Sequence, residues 1–386
     1  MTQVKAFELY ALDIPFRRPF RHAAADRHTS ESLLLKCVTG SGKVGYGECL
    51  PRPYVTGETR DGSIELLRSR ILSRMLDQEF SGFDHVKFFL ETCDGKAPEE
   101  WVPPGVPQNA AWAAVDLALL DAFGHEFDMP VRLGPEEGPD SSLRYSFIFS
   151  ADRGPKAFLT LALFFLLGFR QAKIKVEKEI PNIFSRIALR LLSAFGEPRV
   201  DVNMAWDMPG AIKAMQHLSR CGVQSFEQPI KADDINGMSR LIQETGLDVI
   251  ADESFTDRDS LETLITSRAC TGVNVRISKC GGLVAAHKRC KRALESGLKV
   301  QIGAHVGETS LLSAAQVLLA AGVKGATYIE GCFGQYLLQE DPFRPVITFG
   351  YGGRPPELPE GPGLGVRIDE EILGRWGVKK HTIGSF

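Results

Sequence analysis

"RVDVNMAWDMPGAIKAMQHLSRCGVQSFEQPIKADDINGMSRLIQETGLDVIADES", residues 199–254, contains three short β-rich runs separated by helical patterns. The same alternation continues on both sides of this stretch. The full series of runs is RYSFIF, QAKIKV, RVDVN, VQSFEQP, LDVIADE, GVNVRIS, KVQIGAH and ATYIE. Strands that alternate with helices form right-handed βαβ units and a parallel sheet. Eight such units in about 200 residues predict an α/β fold, a closed TIM-like (β/α)8-type barrel.

An open doubly wound sheet is the alternative arrangement of the same units. Such sheets carry a glycine-rich phosphate-binding turn after the first strand, and none follows it here. The spaced glycines of "EGPGLGV", residues 360–366, contain a proline and precede no helix directly, so they indicate a turn. The sequence therefore favours the barrel and gives no support to dinucleotide binding.

The composition indicates the general class of the protein and the partners that it is not expected to bind. A chain of 386 residues, 44% hydrophobic and 24% charged, is long enough for two domains and is typical of a globular protein. Its net charge of −3 gives no reason to expect nucleic acid or an anionic membrane as a partner. Eight scattered cysteines without a Cys-x-x-Cys pair indicate reduced thiols in a cytoplasmic protein and argue against a zinc site.

The most apolar run of the chain is "FLTLALFFLLGF", residues 158–169. It is too short to cross a bilayer, which takes about 20 residues. We therefore predict a buried helix. Because the run is apolar nearly all round, a contact with a second subunit of a homo-oligomer is the alternative.

Polar residues end the strands of the predicted barrel, where the chemistry of such folds lies. These residues are Lys173, Lys175, Asp201, Asn203, Glu227, Asp252, Glu253, Lys279, His305 and Glu330. Asp201, Glu227 and Asp252 follow one another at intervals of one βα unit, which places three carboxylates side by side. Such carboxylates repel unless a cation lies between them, and oxygen ligands favour Mg²⁺, with Mn²⁺ as a possible substitute. A helix cap or a salt bridge is the alternative for any one acid alone.

Lys173 and Lys175 in "AKIKV" point to the same side of a strand, because a strand alternates its faces. A solvated face is the simpler interpretation of the pair. At a barrel mouth, the ammonium of Lys173 and a nearby Mg²⁺ would both lower the pKa of Lys175 from its usual value of about 10.4. Lys279 follows the sixth strand, which lies opposite the second in a ring of eight. It is therefore expected to approach a small molecule from the other side.

A cation beside two opposed amines suits the removal of a proton next to a carboxylate. The product is an enolate dianion, which needs the charge stabilisation that Mg²⁺ on the substrate carboxylate supplies. One lysine removes the proton, and the other returns a proton or stabilises the intermediate. The sequence thus predicts an enzyme, a Mg²⁺-dependent isomerase that acts on a small carboxylate.

These residues resemble the enolase superfamily, in its muconate-lactonising-enzyme-like subgroup (the mandelate racemase/muconate lactonizing enzyme family). The motifs are Lys-x-Lys at 173–175, Asp-x-Asn at 201–203, Glu-x-Pro at 227–229, Asp252 of "ADES" and Lys-x-Gly-Gly at 279–282. The resemblance covers nearly the whole chain. It implies that Asp201, Glu227 and Asp252 bind Mg²⁺, that Lys175 and Lys279 are the acid/base pair, and that Lys173 assists them.

The resemblance also implies an α+β capping domain. Residues 1–135 form its main part, residues 136–350 form the barrel, and a C-terminal tail, residues 351–386, returns to the capping domain. "GYGECLPRPYVTGE", residues 45–58, resembles the family's first hairpin and capping loop. Tyr54 in this loop, together with Asn203, His305 and Glu330, is expected to contact the substrate.

The sequence does not decide which of several related reactions the enzyme catalyses. It is a cycloisomerase, racemase or epimerase, or else a lyase with the same half-reaction, such as an acid-sugar dehydratase or an o-succinylbenzoate synthase. The Asp-x-Asp pair of the subgroup's dipeptide epimerases is missing around Glu330. His305 is a further candidate base, although relatives with a histidine base usually lack a lysine where Lys279 stands.

Two further expectations concern a non-catalytic alternative and a basic stretch near the N-terminus. A non-catalytic binding protein on the same barrel would have lost at least one key residue, and none is missing. The basic stretch "RRPFRHAAADR", residues 17–27, is expected over the barrel mouth, where its charge would suit an anionic substrate; a solvated loop is the alternative.

Overall fold

The structure is a computed structural model that describes residues 1–22, 25–134, 138–150, 156–176 and 183–385. The expected domain boundary between residues 135 and 136 lies outside the described residues, as do residues 23–24 of the basic stretch. None of the helices in these ranges is long and apolar enough to cross a membrane.

The N-terminal part of the chain is an antiparallel sheet covered by helices. Its strands are β1 (Thr2–Leu12), β2 (Pro15–His22), β3 (Ala25–Thr29), β4 (Ser32–Thr39), β5 (Val44–Cys49) and β6 (Glu79–Phe80). Its helices are α1 (Pro53–Thr56), α2 (Arg60–Leu66), α3 (Leu72–Met75), α4 (Phe83–Cys93) and α5 (Asn109–Phe127), with a π-helical turn at Leu67–Ile71. A Cβ atom at Gly47 would lie 1.9 Å from the Ala114 carbonyl oxygen, so only glycine lets β5 pack this closely on α5.

The barrel consists of eight parallel strands in chain order. They are β7 (Phe147–Ser150), β8 (Gln171–Lys175), β9 (Glu197–Asp201), β10 (Ser225–Glu227), β11 (Asp248–Ala251), β12 (Gly272–Val275), β13 (Lys299–Ile302) and β14 (Tyr328–Ile329). A parallel bridge between Tyr145, just before β7, and Ile329 of β14 joins the first strand to the last. All eight predicted runs form these strands, and the predicted barrel with a capping domain is confirmed.

Helices cover the outside of the barrel, so its strands are buried on both faces. They are α6 (Lys156–Leu166), α7 (Ile183–Ser193), α8 (Met208–Ser219), α9 (Ile235–Thr245), α10 (Arg258–Thr266), α11 (Ile277–Cys280), α12 (Leu283–Glu295) and α13 (Ser310–Gly322). Helix α11 is a single turn between β12 and α12, and it places Lys279 at the strand end.

The C-terminal segment crosses back to the N-terminal sheet. Its elements are α14 (Gly334–Leu337), β15 (Phe343–Arg344), a 3₁₀ turn at Tyr351–Gly353, β16 (Arg367–Ile368), α15 (Glu370–Trp376) and β17 (Gly377–Gly384). Strand β17 pairs antiparallel with β1, with Gly384 opposite Ala6. The last strand of the chain therefore extends the sheet that the first strand begins.

The apolar run at residues 158–169 is buried on one face only. Phe164 is fully buried, whereas Leu163 is 50% exposed and Leu166 is 72% exposed. The prediction of a buried helix is therefore wrong for the outer face of α6.

Asp116 of α5 joins the capping domain to the barrel. Its carboxylate accepts the Leu283 N–H in the first turn of α12 at 2.7 Å. Gly282 permits this approach, because a Cβ atom there would lie 2.3 Å from Asp116 Cγ. Complete burial raises the pKa of Asp116 to about 7, although the backbone hydrogen bonds oppose the shift.

We expect Asp116→Asn to change how stability depends on pH. The folded carboxyl keeps its proton to higher pH than the unfolded one, so the folded state binds more protons between about pH 4 and pH 7. Wild-type stability should therefore fall relative to Asp116→Asn as the pH rises through this window, which urea unfolding at pH 5 and pH 7 will measure. Asp116→Ala, which also removes the acceptor, should cost about 1–3 kcal/mol. Parallel pH curves for wild type and Asp116→Asn would contradict the assignment.

Candidate active site

The sheet register brings three site residues to one level of the barrel. Lys175 of β8 pairs with Asp201 of β9, and Asp201 pairs with Glu227 of β10. Glu227 in turn pairs with Ile250, and Asp252 follows two residues later. Because residues i and i+2 of a strand share a face, the three carboxylates point toward the same interior.

Lys173 lies between three of the carboxylates at the barrel mouth. Its ammonium is 3.0 Å from Asp201, 2.8 Å from Glu227 and 3.0 Å from Glu330. Burial alone would lower the pKa of Lys173, but the three carboxylates outweigh it and raise the pKa above its ordinary value. Lys173 is therefore a charged residue that holds acids together.

Two other cationic side chains, those of Lys279 and Arg276, bind Asp252. Lys279 Nζ donates to Asp252 Oδ1 and to its backbone oxygen, both at 2.8 Å, and Arg276 Nη2 donates to Oδ2. Arg276 also lies 3.7 Å from Glu227. Burial raises the pKa of Asp252, but Arg276 and Lys279 bring it below its ordinary value.

Lys175 differs from Lys173 because its environment disfavours the charged form. Burial lowers the pKa of Lys175 most, and the charges of Lys173 and Arg276 lower it further, against the opposing effect of Asp201. The sequence argument attributed the lowered pKa to Lys173 and a nearby Mg²⁺, whereas in the structure loss of solvation has the largest effect. The direction of this shift distinguishes Lys175 from Lys173, whose pKa is raised.

A cavity of about 280 Å³ opens above this cluster. The residues in its lining that the sequence assigned to the site are Tyr54, Lys173, Lys175, Asp201, Asn203, His305 and Glu330. Glu227, Asp252 and Lys279 are absent from the described lining; they lie behind it, bonded to Lys173 and Arg276 or to each other. The structure therefore brings all ten assigned residues to one end of the barrel, but only seven of them face the cavity.

Glu330 lines the cavity and is also tied into the barrel interior. It pairs with Lys173 and with Arg199, and Arg199 donates from Nε to Gln301 at 3.0 Å. Gln301 in turn donates to Glu227 at 2.9 Å. Glu330 therefore positions Lys173, and the substrate contact that the sequence predicts for it stays a prediction.

Sequence reasoning missed several functional residues. Arg276 and Glu308 line the cavity, as does Glu253, a strand-end residue to which the sequence gave no role. Asn274 donates to Glu227 at 2.8 Å. Arg276 and Asn274 end β12 two residues apart, the same alternation that marked the lysines of β8. Burial and the nearby charges of aspartates raise the pKa of Glu253 to about 8.

Metal ligation is not preformed in this arrangement. Within the described ranges, no three His, Cys, Asp or Glu side chains converge closely enough to hold one metal ion. The carboxylate oxygens are instead shared with Lys173, Arg276 and Lys279, as the contacts above show.

Comparison with known proteins places this barrel in a family. A family profile described as "Enolase C-terminal domain-like" matches residues 162–372, more than half of the chain. The chain belongs to the enolase superfamily. Among relatives of this superfamily member, an N-succinyl-L-Arg/Lys racemase of Bacillus cereus is 27% identical over 376 residues, 96% of this chain and 97% of the racemase. A chloromuconate cycloisomerase of Cupriavidus pinatubonensis is 27% identical over 374 residues, 95% of this chain and 96% of the cycloisomerase.

Solved structures of enolase superfamily proteins have the same fold. The crystal structure of N-succinyl Arg/Lys racemase from Bacillus cereus matches with a TM-score of 0.86 and 25% identity, over 99% of this chain and 100% of that chain. A dipeptide epimerase from Cytophaga hutchinsonii, complexed with Mg and D-Ala-L-Val, matches with a TM-score of 0.83 and 21% identity, over 99% of each chain.

The resemblance to the muconate-lactonising-enzyme-like subgroup of the enolase superfamily is confirmed. The relatives of this superfamily member are racemases, epimerases and cycloisomerases. The chain is an enzyme, an isomerase of this superfamily, and the alternative of a non-catalytic binding protein is set aside.

Proposed function

We propose that this isomerase removes the proton α to the carboxylate of a small substrate, with Lys175 as the base. The observation that carries the proposal is the contrast between two lysines of one strand. Lys173 is held as an ammonium by three carboxylates, whereas Lys175 faces the cavity with a lowered pKa. A base for an α-proton needs a pKa brought toward neutrality, and Lys175 meets this requirement.

We further propose that Asp201, Glu227 and Asp252 hold Mg²⁺, with Mn²⁺ as a substitute. The donor set fits a hard cation, since it consists of carboxylates at adjacent strand ends. The buried Oε2 atom of the neighbouring Glu253 has no hydrogen-bond partner within the described part of the chain, so a further oxygen is available beside them. Binding requires the acids to give up part of their ion pairs with Lys173, Arg276 and Lys279. The ion would stabilise the charge that develops on the substrate carboxylate as the proton leaves.

Other residues of the chain hold and orient this base. Glu330, Asp201 and Glu227 fix Lys173, and the fixed positive charge of Lys173 disfavours a second ammonium at Lys175. Lys279 is proposed as the partner acid on the other side of the ring, since β12 lies four strands from β8. Its present bond to Asp252 must open for this role.

Exchange of substrate hydrogen with solvent tests the proposed reaction. Wild-type enzyme with MgCl₂ in D₂O should replace the α-hydrogen of at least one member of a broad library of small carboxylates, as followed by ¹H NMR. Racemisation, epimerisation, cycloisomerisation and elimination are then distinguished by the products. If no member of the library exchanges, the proposed chemistry is wrong.

We propose that a second copy of this chain covers the exposed face of α6 and α7. In the described part of these helices and their following turns, nine large apolar side chains are exposed: Phe158, Leu159, Leu163, Phe165, Leu166, Leu167, Ile187, Leu191 and Phe195. Their exposed area is on the order of 800 Å², more than a monomer usually leaves open and about what each partner buries in a stable dimer. Residues 158–167 carry no charge, and an identical face can pair with itself around a two-fold axis.

Light scattering will test this interface. We expect wild type to be a homo-oligomer at micromolar concentration and Leu166→Glu to be a monomer with an unchanged circular dichroism spectrum. Phe88→Glu is the matched control, since Phe88 is 66% exposed on α4 of the capping domain. A wild-type monomer would contradict the proposal. The cytoplasmic location and the absence of nucleic-acid partners stay predictions from the sequence.

A further inference from the structure

His305 stands apart from the proton-transfer residues in the same cavity. It follows β13 and is only 5% exposed, yet neither ring nitrogen has a hydrogen-bond partner among the described residues. Its nearest charged neighbour is Glu308, whose Oε1 lies 3.9 Å from Nδ1, too far for a hydrogen bond. Leaving a buried polar group unpaired costs about 1–3 kcal/mol, so a ligand that pairs with the ring recovers this cost.

The surroundings of His305 disfavour a protonated imidazole. Burial lowers its pKa most, and the positive charges of Arg276, Arg52, Lys279 and Arg27 lower it further. A neutral imidazole offers one N–H donor and one acceptor nitrogen, and the Nδ1 and Nε2 atoms are both free for these roles. Its acceptor nitrogen pairs with an O–H or N–H group, which a hydroxyl or an amide carries and an ionised carboxylate lacks.

The two wall segments beside His305 supply no cationic side chain for a second anion. The cavity lining there comes from residues 304–308 and 331–337, and Glu308 is the only charged residue in these two segments. Each nearby cation has at least one partner in the protein: Arg276 and Lys279 bind Asp252, Arg27 binds Glu31, and Arg52 donates to the backbone oxygens of Ser30 and Val306. The Nε atoms of Arg276 and Arg27 have no hydrogen-bond partner among the described residues. Burial raises the pKa of Glu308 to about 7, so near neutral pH it adds partial negative charge and no positive charge.

We infer that His305 determines specificity by a hydrogen bond to an uncharged hydroxyl or amide group of the substrate. The substrate class is then a monocarboxylate with such a polar group, and Glu308 disfavours a second carboxylate at the same place. This inference rests on the proposed function, because the reacting carboxylate is assigned to the Lys173–Lys175 end of the cavity. Phe333 and Leu337 complete the wall with apolar surface.

Isosteric pairs of amino acids test this assignment through α-hydrogen exchange in D₂O. Threonine and valine, and homoserine and norvaline, differ by a hydroxyl and a methyl group, while glutamine and glutamate differ by an amide and a carboxylate. Wild type should exchange the uncharged polar member with a kcat/KM about 100-fold higher, since a site built for a hydrogen bond rejects the analogue that lacks it. His305→Phe should bring the two hydroxyl-to-methyl ratios to within about 3-fold, mainly by slowing the hydroxyl-bearing member, whereas Glu308 still disfavours glutamate in this variant.

Control variants separate recognition from folding. His287→Phe makes the same substitution at a histidine that contacts the Gly322 carbonyl outside the cavity, and it should leave the ratios unchanged. His305→Gln keeps a donor and an acceptor and should retain part of the preference. Glu308→Gln is an independent variant that should raise the use of glutamate relative to glutamine about tenfold.

The outcomes distinguish failure of the proposed function from failure of the role given to His305. Absence of exchange in the wild type with these acids and with every carboxylate of the broad library contradicts the proposed function, and this inference with it. Exchange without preference within the pairs, or a preference for the hydroxyl-bearing member that survives in His305→Phe, contradicts only the role of His305. An unchanged glutamate-to-glutamine ratio in Glu308→Gln contradicts the exclusion of a second carboxylate.

Discussion

Replacing Lys175 by alanine should lower the rate of α-hydrogen exchange by about 1000-fold, within the range that general bases contribute. The reason is that Lys175 combines a place in the cavity lining with a pKa lowered by burial. Its neighbour Lys173 is locked as an ammonium and cannot substitute for it. The measurement is the loss of the α-proton signal in D₂O for any acid that wild type exchanges.

Two controls make the result specific to the amine. Lys299→Ala removes a half-exposed lysine whose partner is Asp248, and it should leave the exchange rate within about twofold. Added methylamine or ethylamine should restore part of the activity of Lys175→Ala, because a small base can enter the space left by the side chain. Wild-type exchange in Lys175→Ala would exclude Lys175 as the base.

Replacing Lys173 by methionine should lower the free energy of unfolding by about 3–5 kcal/mol, because it leaves buried carboxylates without their cation. The ammonium is within 3.0 Å of Asp201, Glu227 and Glu330, and all four residues are buried. Methionine keeps most of the side-chain volume of lysine. The loss in free energy of unfolding therefore reflects the missing charge more than a change in packing. Urea unfolding in the presence of EDTA is the measurement.

Stabilisation of the same variant by added Mg²⁺ tests whether the carboxylates bind a cation. Because Lys173→Met removes a competing ammonium, MgCl₂ should stabilise this variant more than wild type, by an amount that grows with concentration as expected for binding to the folded state. Lys299→Met, which removes a partly exposed ion pair, should cost no more than about 1 kcal/mol. A loss below about 1 kcal/mol in Lys173→Met, or no added effect of MgCl₂, would contradict the account of this cluster.

The strands and the ring of polar strand ends could be predicted because their signals are local. Alternation fixes which residues of β8 share a face, and the recurrence of βα units fixes the neighbours of Asp201 and Glu227. These two rules are enough to locate Lys175 beside Asp201, and the register of β8 and β9 agrees.

The cation partners could not be predicted because they depend on contacts across the barrel. Arg199 meets Glu330 only after β9 and β14 face each other in the closed ring, and Arg276 reaches Asp252 by the length of its side chain. The free ring of His305 likewise depends on what is absent around it among the described residues, which no spacing rule describes. The outer face of α6 was misjudged because an apolar run does not reveal whether a neighbour covers each side.

The pairing of β17 with β1 sets an order of events during synthesis. Strand β1 gains β4 and, at Thr2 and Gln3, β6 as neighbours early, but the β17 partner of its residues 6–12 is made only after the ribosome has completed the entire barrel. Until then β1 presents an open row of backbone groups to any other nascent chain, a recognised route to misassembly. The strand pairing of the capping sheet is therefore the last to be completed, even though the first strand of this sheet is the first to be made.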